Sequence, residues 1–327
     1  MNWTGKRVLV TGAGGFIGSH LTERLVELGA DVRAFVHYNA LGSWGWLDQS
    51  FACDAVRIVA GDITDRDSVR QAMQSREIVL HLAALIAIPY SYQAPISYVR
   101  TNVEGTLNVL QAARDAGVER VIHTSTSEVY GTAQHVPIDE THPLQGQSPY
   151  SASKIGADKM AEAFYRSFGL SVVTVRPFNT FGPRQSARAV IPTIITQLLA
   201  GQPVRLGRLS PTRDLNFVAN TVEGFILAAS MPDISGRTIN LGTGKEISIG
   251  DLAQLIAHLA DKPIRIESDD VRVRPEGSEV ERLLADNRLA RELLGWEPRI
   301  NLEDGLKITI KWIQEHPERY RTNAYVI

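Results

Sequence analysis

Tyr150 and Lys154 stand four residues apart in PYSASK (Pro149–Lys154), so on a helix they share one face. A lysine ammonium beside a tyrosine favours the phenolate. It draws the pKa from about 10 toward neutrality, where the tyrosine can serve as a general base. Tyr-x-x-x-Lys recurs by chance, and its weight here comes from what surrounds it. VLVTGAGGFIGSH places Gly12, Gly15 and Gly18 directly after the first apolar run and at the start of the first helical pattern. In that setting Gly12 permits a tight turn, Gly15 lets the backbone approach a pyrophosphate, and Gly18 lets helix and strand pack closely. The unpaired amides and positive dipole end of the helix then hold the phosphates. TSTSEVYG (Thr124–Gly131) adds a cluster of hydroxyls at a strand end, with one carboxylate, Glu128.

These groups need a scaffold, and the chain alternates the two patterns that build one. Short β-branched runs (RVLVT, DVRAFV, AVRIVA, EIVLHLA, ERVIHTS and SVVTVRP) alternate with helical patterns over Phe16–Leu28, Asp65–Gln74, Thr101–Ala116 and Ala152–Phe168. That rhythm predicts an α/β, Rossmann-type, doubly wound parallel sheet. After about Pro177 it breaks into helices mixed with short strands. The expected organisation is a dinucleotide-binding domain over 1–177, which includes the Tyr/Lys helix. A smaller mixed α/β substrate lobe over 178–327 is partly interleaved with it.

The bulk properties exclude several classes. A chain of 327 residues suits one large domain with a smaller lobe. The formal net charge of -2 leaves no electrostatic footprint for nucleic acid. Cys53 is alone, so no internal disulfide can form and a reducing compartment fits. No apolar run approaches a membrane span, and MNWTGKRVLVTG enters a strand with no signal-peptide region. The expectation is a cytoplasmic protein that binds neither membrane nor nucleic acid.

The glycine spacing is G-x-x-G-x-x-G. Further along stand GDITD (Gly61–Asp65), HLAA (His81–Ala84), TNVEGTLNVLQAA (Thr101–Ala113), RPFNTFGPRQ (Arg176–Gln185) and RDLNFV (Arg213–Val218). With TSTSEVYG and PYSASK between them, the chain resembles the extended short-chain dehydrogenase/reductase family over nearly its whole length. The resemblance implies an NAD or NADP cleft. Its expected residues are Gly12, Gly15, Phe16, Ile17 and Gly18 at the loop, then His37 and Asn39, then Asp62 and Ile63. Leu82, Ala83, Ala84, Asn102, Thr124 and Pro177 complete the set with Tyr150 and Lys154. Asp62 would hydrogen-bond the adenine, or act as a turn or helix-cap aspartate. Asn102 would position backbone or a water, or cap a helix. The second strand ends FVHYN, without the acid that holds the adenosine ribose in NAD users. His37 stands near where NADP users often carry a basic residue, while Asn39 or backbone groups could hold the ribose of NAD.

By the same resemblance the catalytic set is Thr126, Ser127, Glu128, Tyr150 and Lys154. Thr126 matches the residue that hydrogen-bonds the hydroxyl being oxidised, with Ser125 from the same strand end on the substrate side or in contact with cofactor or backbone. Lys154 also holds the nicotinamide ribose, and the ring's positive charge assists Tyr150. A glutamate two residues past that threonine resembles nucleotide-sugar 4,6-dehydratases and UDP-glucuronate decarboxylases. In the dehydratase chemistry carbon 4 is oxidised, Glu128 removes the proton of carbon 5, water leaves from carbon 6, and hydride returns there. Many hexose dehydratases carry an aspartate where this chain has Ser127, so the leaving hydroxyl draws its proton from Glu128 or through a water held by Ser127.

VHYNALGSWGWLD (Val36–Asp48) and RVRPEGSEVERLLADNRLARELLGWEP (Arg272–Pro298) resemble the legionaminic acid pathway dehydratases, which act on a nucleotide-linked N-acetylglucosamine. Trp44 and Trp46 would flank the adenine, close over the site or pack the loop. Asn179 and Arg213 would contact the substrate diphosphate, with Arg274 beside them and Val190 near the base. Arg184 reads instead as a surface ion pair. A homodimer is expected through Thr101–Ala116 and Ala152–Phe168, with Met160, Ala163 and Phe164 either forming its apolar stripe or buried within the subunit. The alternatives are a 4-epimerase, a glucuronate decarboxylase without a visible cation for the sugar carboxylate, and a non-catalytic NAD(P)-sensing module.

Overall fold

The computed structural model describes residues 1–320, so the last stretch of the expected second domain, 321–327, lies outside the described residues. The near-continuous apolar runs form one parallel sheet: β1 (Arg7–Thr11), β2 (Asp31–His37), β3 (Arg57–Gly61), β4 (Ile78–His81), β5 (Arg120–Thr124), β6 (Val172–Pro177) and β7 (Thr238–Leu241). Their order is β7-β6-β5-β4-β1-β2-β3. The main helices are α1 (Phe16–Glu27), α2 (Arg66–Met73), α3 (Gly105–Asp115), α4 (Pro149–Phe168), α5 (Val190–Leu199), α6 (Val218–Ser230), α7 (Ile249–Leu259) and α8 (Leu302–Glu315).

Strand alternation divides the core into two layers. Leu9, Val79, Val121 and Val172 face one way and pack with Val69 of α2, Val109 of α3 and Phe164 of α4. Val8, Val10, Ile78, Ile122 and Val173 face the other way, into the layer that holds Leu21 and Leu25 of α1 and Phe225 of α6. Burial on both faces explains why these strands read as apolar runs rather than alternating ones. Among the described residues no helix is long and apolar enough to cross a membrane.

Three details differ from the periodicity alone. TINL (β7) lies beyond Pro177 yet pairs with β6, Thr238 opposite Thr174. The chain therefore returns to the first sheet through α6. The tyrosine helix begins at Pro149, before Ala152, because Ser148 and Ser151 form a capping box and Pro149 takes the first helical position. The helix that carries Asn102 opens with a π-helical segment, Val99–Glu104, before α3.

Candidate active site

A cleft of about 1640 Å³ runs along the carboxyl ends of the strands, where a doubly wound sheet places its ligands. Gly12 ends β1 with φ +72°, and a Cβ there would meet the Ala83 nitrogen at 2.8 Å. At Gly18 a Cβ would stand 2.1 Å from the Gly12 carbonyl oxygen, so only glycine brings loop and helix this close. Gly15 caps α1 without any side chain, leaving the first-turn amides facing the cleft. This backbone cradle fits a pyrophosphate. The loop after β2 folds over it: Trp46 N–H donates to the Gly14 carbonyl at 2.9 Å, and its indole meets Trp312 at 5.4 Å. Trp44 and Trp46 both line the cleft.

Of the expected cofactor residues, Gly12, Gly15, Phe16, Ile17, Gly18, His37, Asn39, Asp62 and Ile63 lie on the cleft wall. So do Leu82, Ala83, Ala84, Thr124, Tyr150, Lys154 and Pro177. Asn102 does not. It is 1% exposed, and its amide is spent on Leu85 N–H, the Leu85 carbonyl and the Ser153 hydroxyl, each at 2.9 Å. It braces the wall from behind, tying the 85 loop to α4. Asn39 reaches the cleft, but its side chain holds its own loop through Leu41 and Ser43. Asp62 forms a turn to Thr64 N–H at 2.8 Å and stands 3.9 Å from His37 Nδ1.

At the middle of the cleft Thr126, Ser127 and Glu128 face Tyr150 and Lys154. The backbone turns out of β5 at Thr126, whose hydroxyl accepts from Glu128 N–H at 3.2 Å and starts the short helix Ser127–Tyr130. Burial pushes the Tyr150 hydroxyl above its usual range. The Thr126 side chain opposes that rise, and the Glu128 charge adds to it. Lys154 is lowered to about 8 by burial, against the pull of Asp158, and its Nζ donates to the Thr124 carbonyl at 2.6 Å. Among the protein's own groups burial has the largest effect on the Tyr150 hydroxyl.

Sequence reasoning missed several groups here. Tyr98 packs edge-on to Tyr150 at 6.2 Å and donates to the Ala87 carbonyl. Ser125, expected on the substrate side or against cofactor or backbone, turns its hydroxyl inward and donates to buried Asp158 at 2.7 Å. Asp158 lies one helical turn past Lys154, and that spacing was its only signal. At the far end of the cleft Asn179, Val190, Arg213 and Arg274 all line the wall. Glu279, also missed, stands 3.3 Å from Arg213 and 3.8 Å from Arg274. The Asn179 Oδ1 and Arg274 Nη1 atoms are buried without a hydrogen-bond partner, as expected of groups that await a ligand. Arg184 is a structural ion pair with Glu23 at 2.7 Å. Of the two readings for Phe164, the structure puts it in the subunit core at 5% exposure, whereas Met160 is 36% exposed.

Residues 9–309 match the family described as GDP-mannose 4,6 dehydratase. A dTDP-glucose 4,6-dehydratase of Streptomyces griseus is 36% identical over 94% of this chain and 94% of its own length. A UDP-glucose 4-epimerase of Mycolicibacterium smegmatis is 34% identical over 94% of this chain and 98% of its own. The chain spans about half (48%) of an Arabidopsis thaliana trifunctional UDP-glucose 4,6-dehydratase/3,5-epimerase/reductase, at 33% identity over 96% of this chain. Among solved structures, the dTDP-glucose 4,6-dehydratase of Streptomyces venezuelae with NAD and TYD bound superposes with a TM-score of 0.86. It is 31% identical and covers 96% of this chain and 98% of that one. Sheet order, glycine cradle, Tyr/Lys helix and these matches place the chain in the GDP-mannose 4,6-dehydratase-type family of extended short-chain dehydrogenases/reductases.

Proposed function

We propose that the protein is an NAD-dependent nucleotide-sugar 4,6-dehydratase. The observation that carries this reading is Glu128, a carboxylate on the same cleft wall as Thr126, Ser127, Tyr150 and Lys154. Epimerisation at carbon 4 needs only one proton-transfer group beside the alcohol. A second base beside it suits elimination.

The glycine cradle and first-turn amides of α1 hold the cofactor pyrophosphate, with Asp62 and Ile63 at the adenine and Lys154 at the nicotinamide ribose. A nicotinamide held there would supply the hydride chemistry, accepting hydride from sugar carbon 4 and donating it to carbon 6. Thr126 orients the carbon-4 hydroxyl and Tyr150 takes its proton. The ketone acidifies carbon 5, Glu128 removes that proton, and the carbon-6 hydroxyl departs as water with a proton from Glu128 or relayed at Ser127. A proton then returns to carbon 5. Arg213, Arg274 and Asn179 hold the diphosphate, and Val190 packs near the base. NAD is favoured over NADP by the family resemblance, and the Streptomyces venezuelae relative binds NAD.

For substrate, the reading is an NDP-N-acetylglucosamine, as in the legionaminic acid pathway, supported by the resemblance of Val36–Asp48 and Arg272–Pro298. The enzyme acts in the cytoplasm as a homodimer through α3 and α4, supported by the exposure of Met160, Tyr165 and Phe168. Light scattering should give twice the mass of one chain at micromolar concentration, and a monomer mass rejects the dimer. The deciding assay is mass spectrometry on a panel of UDP-, dTDP- and GDP-hexoses. Dehydration shows as loss of one water with no net consumption of NAD. The epimerase reading, which the mycobacterial relative favours, predicts a product of unchanged mass.

A further inference from the structure

Beneath the catalytic turn lies a buried ionic cluster that the chemistry above does not use. Asp158, on the Tyr150–Lys154 face of α4, is 5% exposed. One carboxylate oxygen accepts from His123 Nε2 at 3.0 Å. The other accepts from the Ser125 hydroxyl at 2.7 Å and from Arg176 at 2.9 and 3.3 Å. Arg176 in turn donates to the Tyr130 hydroxyl at 2.9 Å, and that hydroxyl donates to Asn240 at 2.8 Å.

The connections have a pattern. Ser125 immediately precedes Thr126, and Tyr130 ends the short helix that carries Ser127 and Glu128. Asp158 therefore grips one end of the reactive turn directly and the other end through Arg176. On its own helix it lies one turn beyond Lys154, whose ammonium is bolted to the Thr124 carbonyl on the same strand end. One carboxylate thus fixes the distance between the two halves of the site: the helix with Tyr150 and Lys154, and the turn with Thr126 and Glu128.

We propose that Asp158 is a positioning residue of the reaction, clamping the Thr126–Glu128 turn against the Tyr150–Lys154 helix while serving as the buried counter-charge of Lys154. The clamp extends the dehydratase reading and rests on it for the roles of Thr126, Glu128, Tyr150 and Lys154.

The charges around Lys154 support the second half of this role. His81 of β4 and His123 of β5 are both lowered by burial and stay neutral. Arg176 of β6 remains a cation, and Tyr130 on the turn is pushed up to about 12 by burial and stays neutral. Tyr150 on the same helix is raised by burial, and Glu128 is turned toward the cleft. Asp158, held at about 2 by its His123 hydrogen bond and by Arg176 against the cost of burial, is the anion that faces Lys154 from below. Its charge raises the Lys154 pKa, and burial lowers it. Removing the Asp158 charge therefore lets Lys154 lose its proton at lower pH.

The test is Asp158→Asn, which keeps shape and hydrogen-bonding capacity but not charge. On the wild-type substrate, kcat should fall ~10–100-fold, the usual cost of misplacing reacting groups by a fraction of an ångström to one ångström. KM should move less than about threefold, since no substrate contact is removed. The alkaline limb of the kcat profile should shift to lower pH by about one unit. A folded Asp158→Asn enzyme with unchanged kcat and an unmoved alkaline limb overturns the proposal. If that variant does not fold, Ser125→Ala/Tyr130→Phe releases both ends of the turn without touching a charge. It should lower kcat and speed amide exchange across residues 125–130, with the alkaline limb in place. Wild-type exchange and wild-type kcat in the double variant also overturn the clamp. Should wild-type enzyme turn over no member of the hexose panel, the dehydratase reading fails by itself, and the exchange rates alone decide the clamp.

Discussion

Two carboxylates in this molecule each sit between cations, and they are built differently. Asp158 takes four hydrogen bonds from three residues at 2.7 to 3.3 Å and is sealed beneath the sheet end. Glu279 stands between Arg213 and Arg274 at 3.3 and 3.8 Å, and one Arg274 nitrogen has no hydrogen-bond partner although buried. A fully satisfied ionic cluster rigidifies what it touches, whereas an under-bonded one retains cations whose desolvation is not yet offset. The first is scaffold. The second lines the cleft wall, and under the proposed function it would exchange its partner for the substrate diphosphate.

The largest expected effect lies where the two clusters approach, at Glu128, whose charge reaches both Tyr150 and Arg213. Glu128→Gln should lower net dehydration ~10²–10⁴-fold while carbon-4 oxidation survives. The variant should accumulate reduced nicotinamide and a 4-keto-hexose that keeps its carbon-6 hydroxyl, seen by absorbance and mass spectrometry. Near-normal dehydration would remove the base role, and with it the case against an epimerase.

Stability separates the two carboxylates next. Asp158→Asn should cost about 3–5 kcal/mol in urea unfolding, because it leaves the Arg176 charge buried and uncompensated. Glu279→Gln should cost less, because its contacts to Arg213 and Arg274 are longer, at 3.3 and 3.8 Å, and both arginines line the cleft. Equal losses would erase the distinction between scaffold and ligand site. Arg213→Ala sharpens the comparison from the ligand side: KM for the nucleotide sugar should rise ~10–100-fold, the worth of a charge-assisted hydrogen bond to phosphate. Its kcat should change far less, and an unchanged KM would place the diphosphate elsewhere.

The smallest effect is in the pH dependence of stability. Lys154 titrates near 8 when folded and near 10.4 when unfolded, so between those values the unfolded chain binds more protons. The Lys154 burial penalty is therefore full below about pH 8 and is relieved as pH rises. Wild type should gain about 1 kcal/mol over Lys154→Met between pH 7.5 and 9 in urea unfolding. A constant difference would mean that Lys154 keeps its ordinary pKa in the fold.

Backbone conformation and local spacing made part of this molecule readable from its residues. The glycine loop is legible because its turn and close approaches exclude a Cβ, and the inner strands β1, β2, β4, β5 and β6 because burial on both faces demands apolar runs. Tyr150 and Lys154 are legible because a four-residue spacing fixes a shared helical face. Contacts between residues far apart in the chain were settled by folding. Ser125 turns inward because Asp158 waits 33 residues later, and Arg213 meets Glu279 across 66 residues. TINL joins β6 because α6 carries the chain back over the sheet, and Asn102 moves behind the wall because the 85 loop claims its amide. Local periodicity encodes which way a residue faces. It does not encode which distant partner has been folded against that face, and hydrogen bonding between buried groups is settled only there.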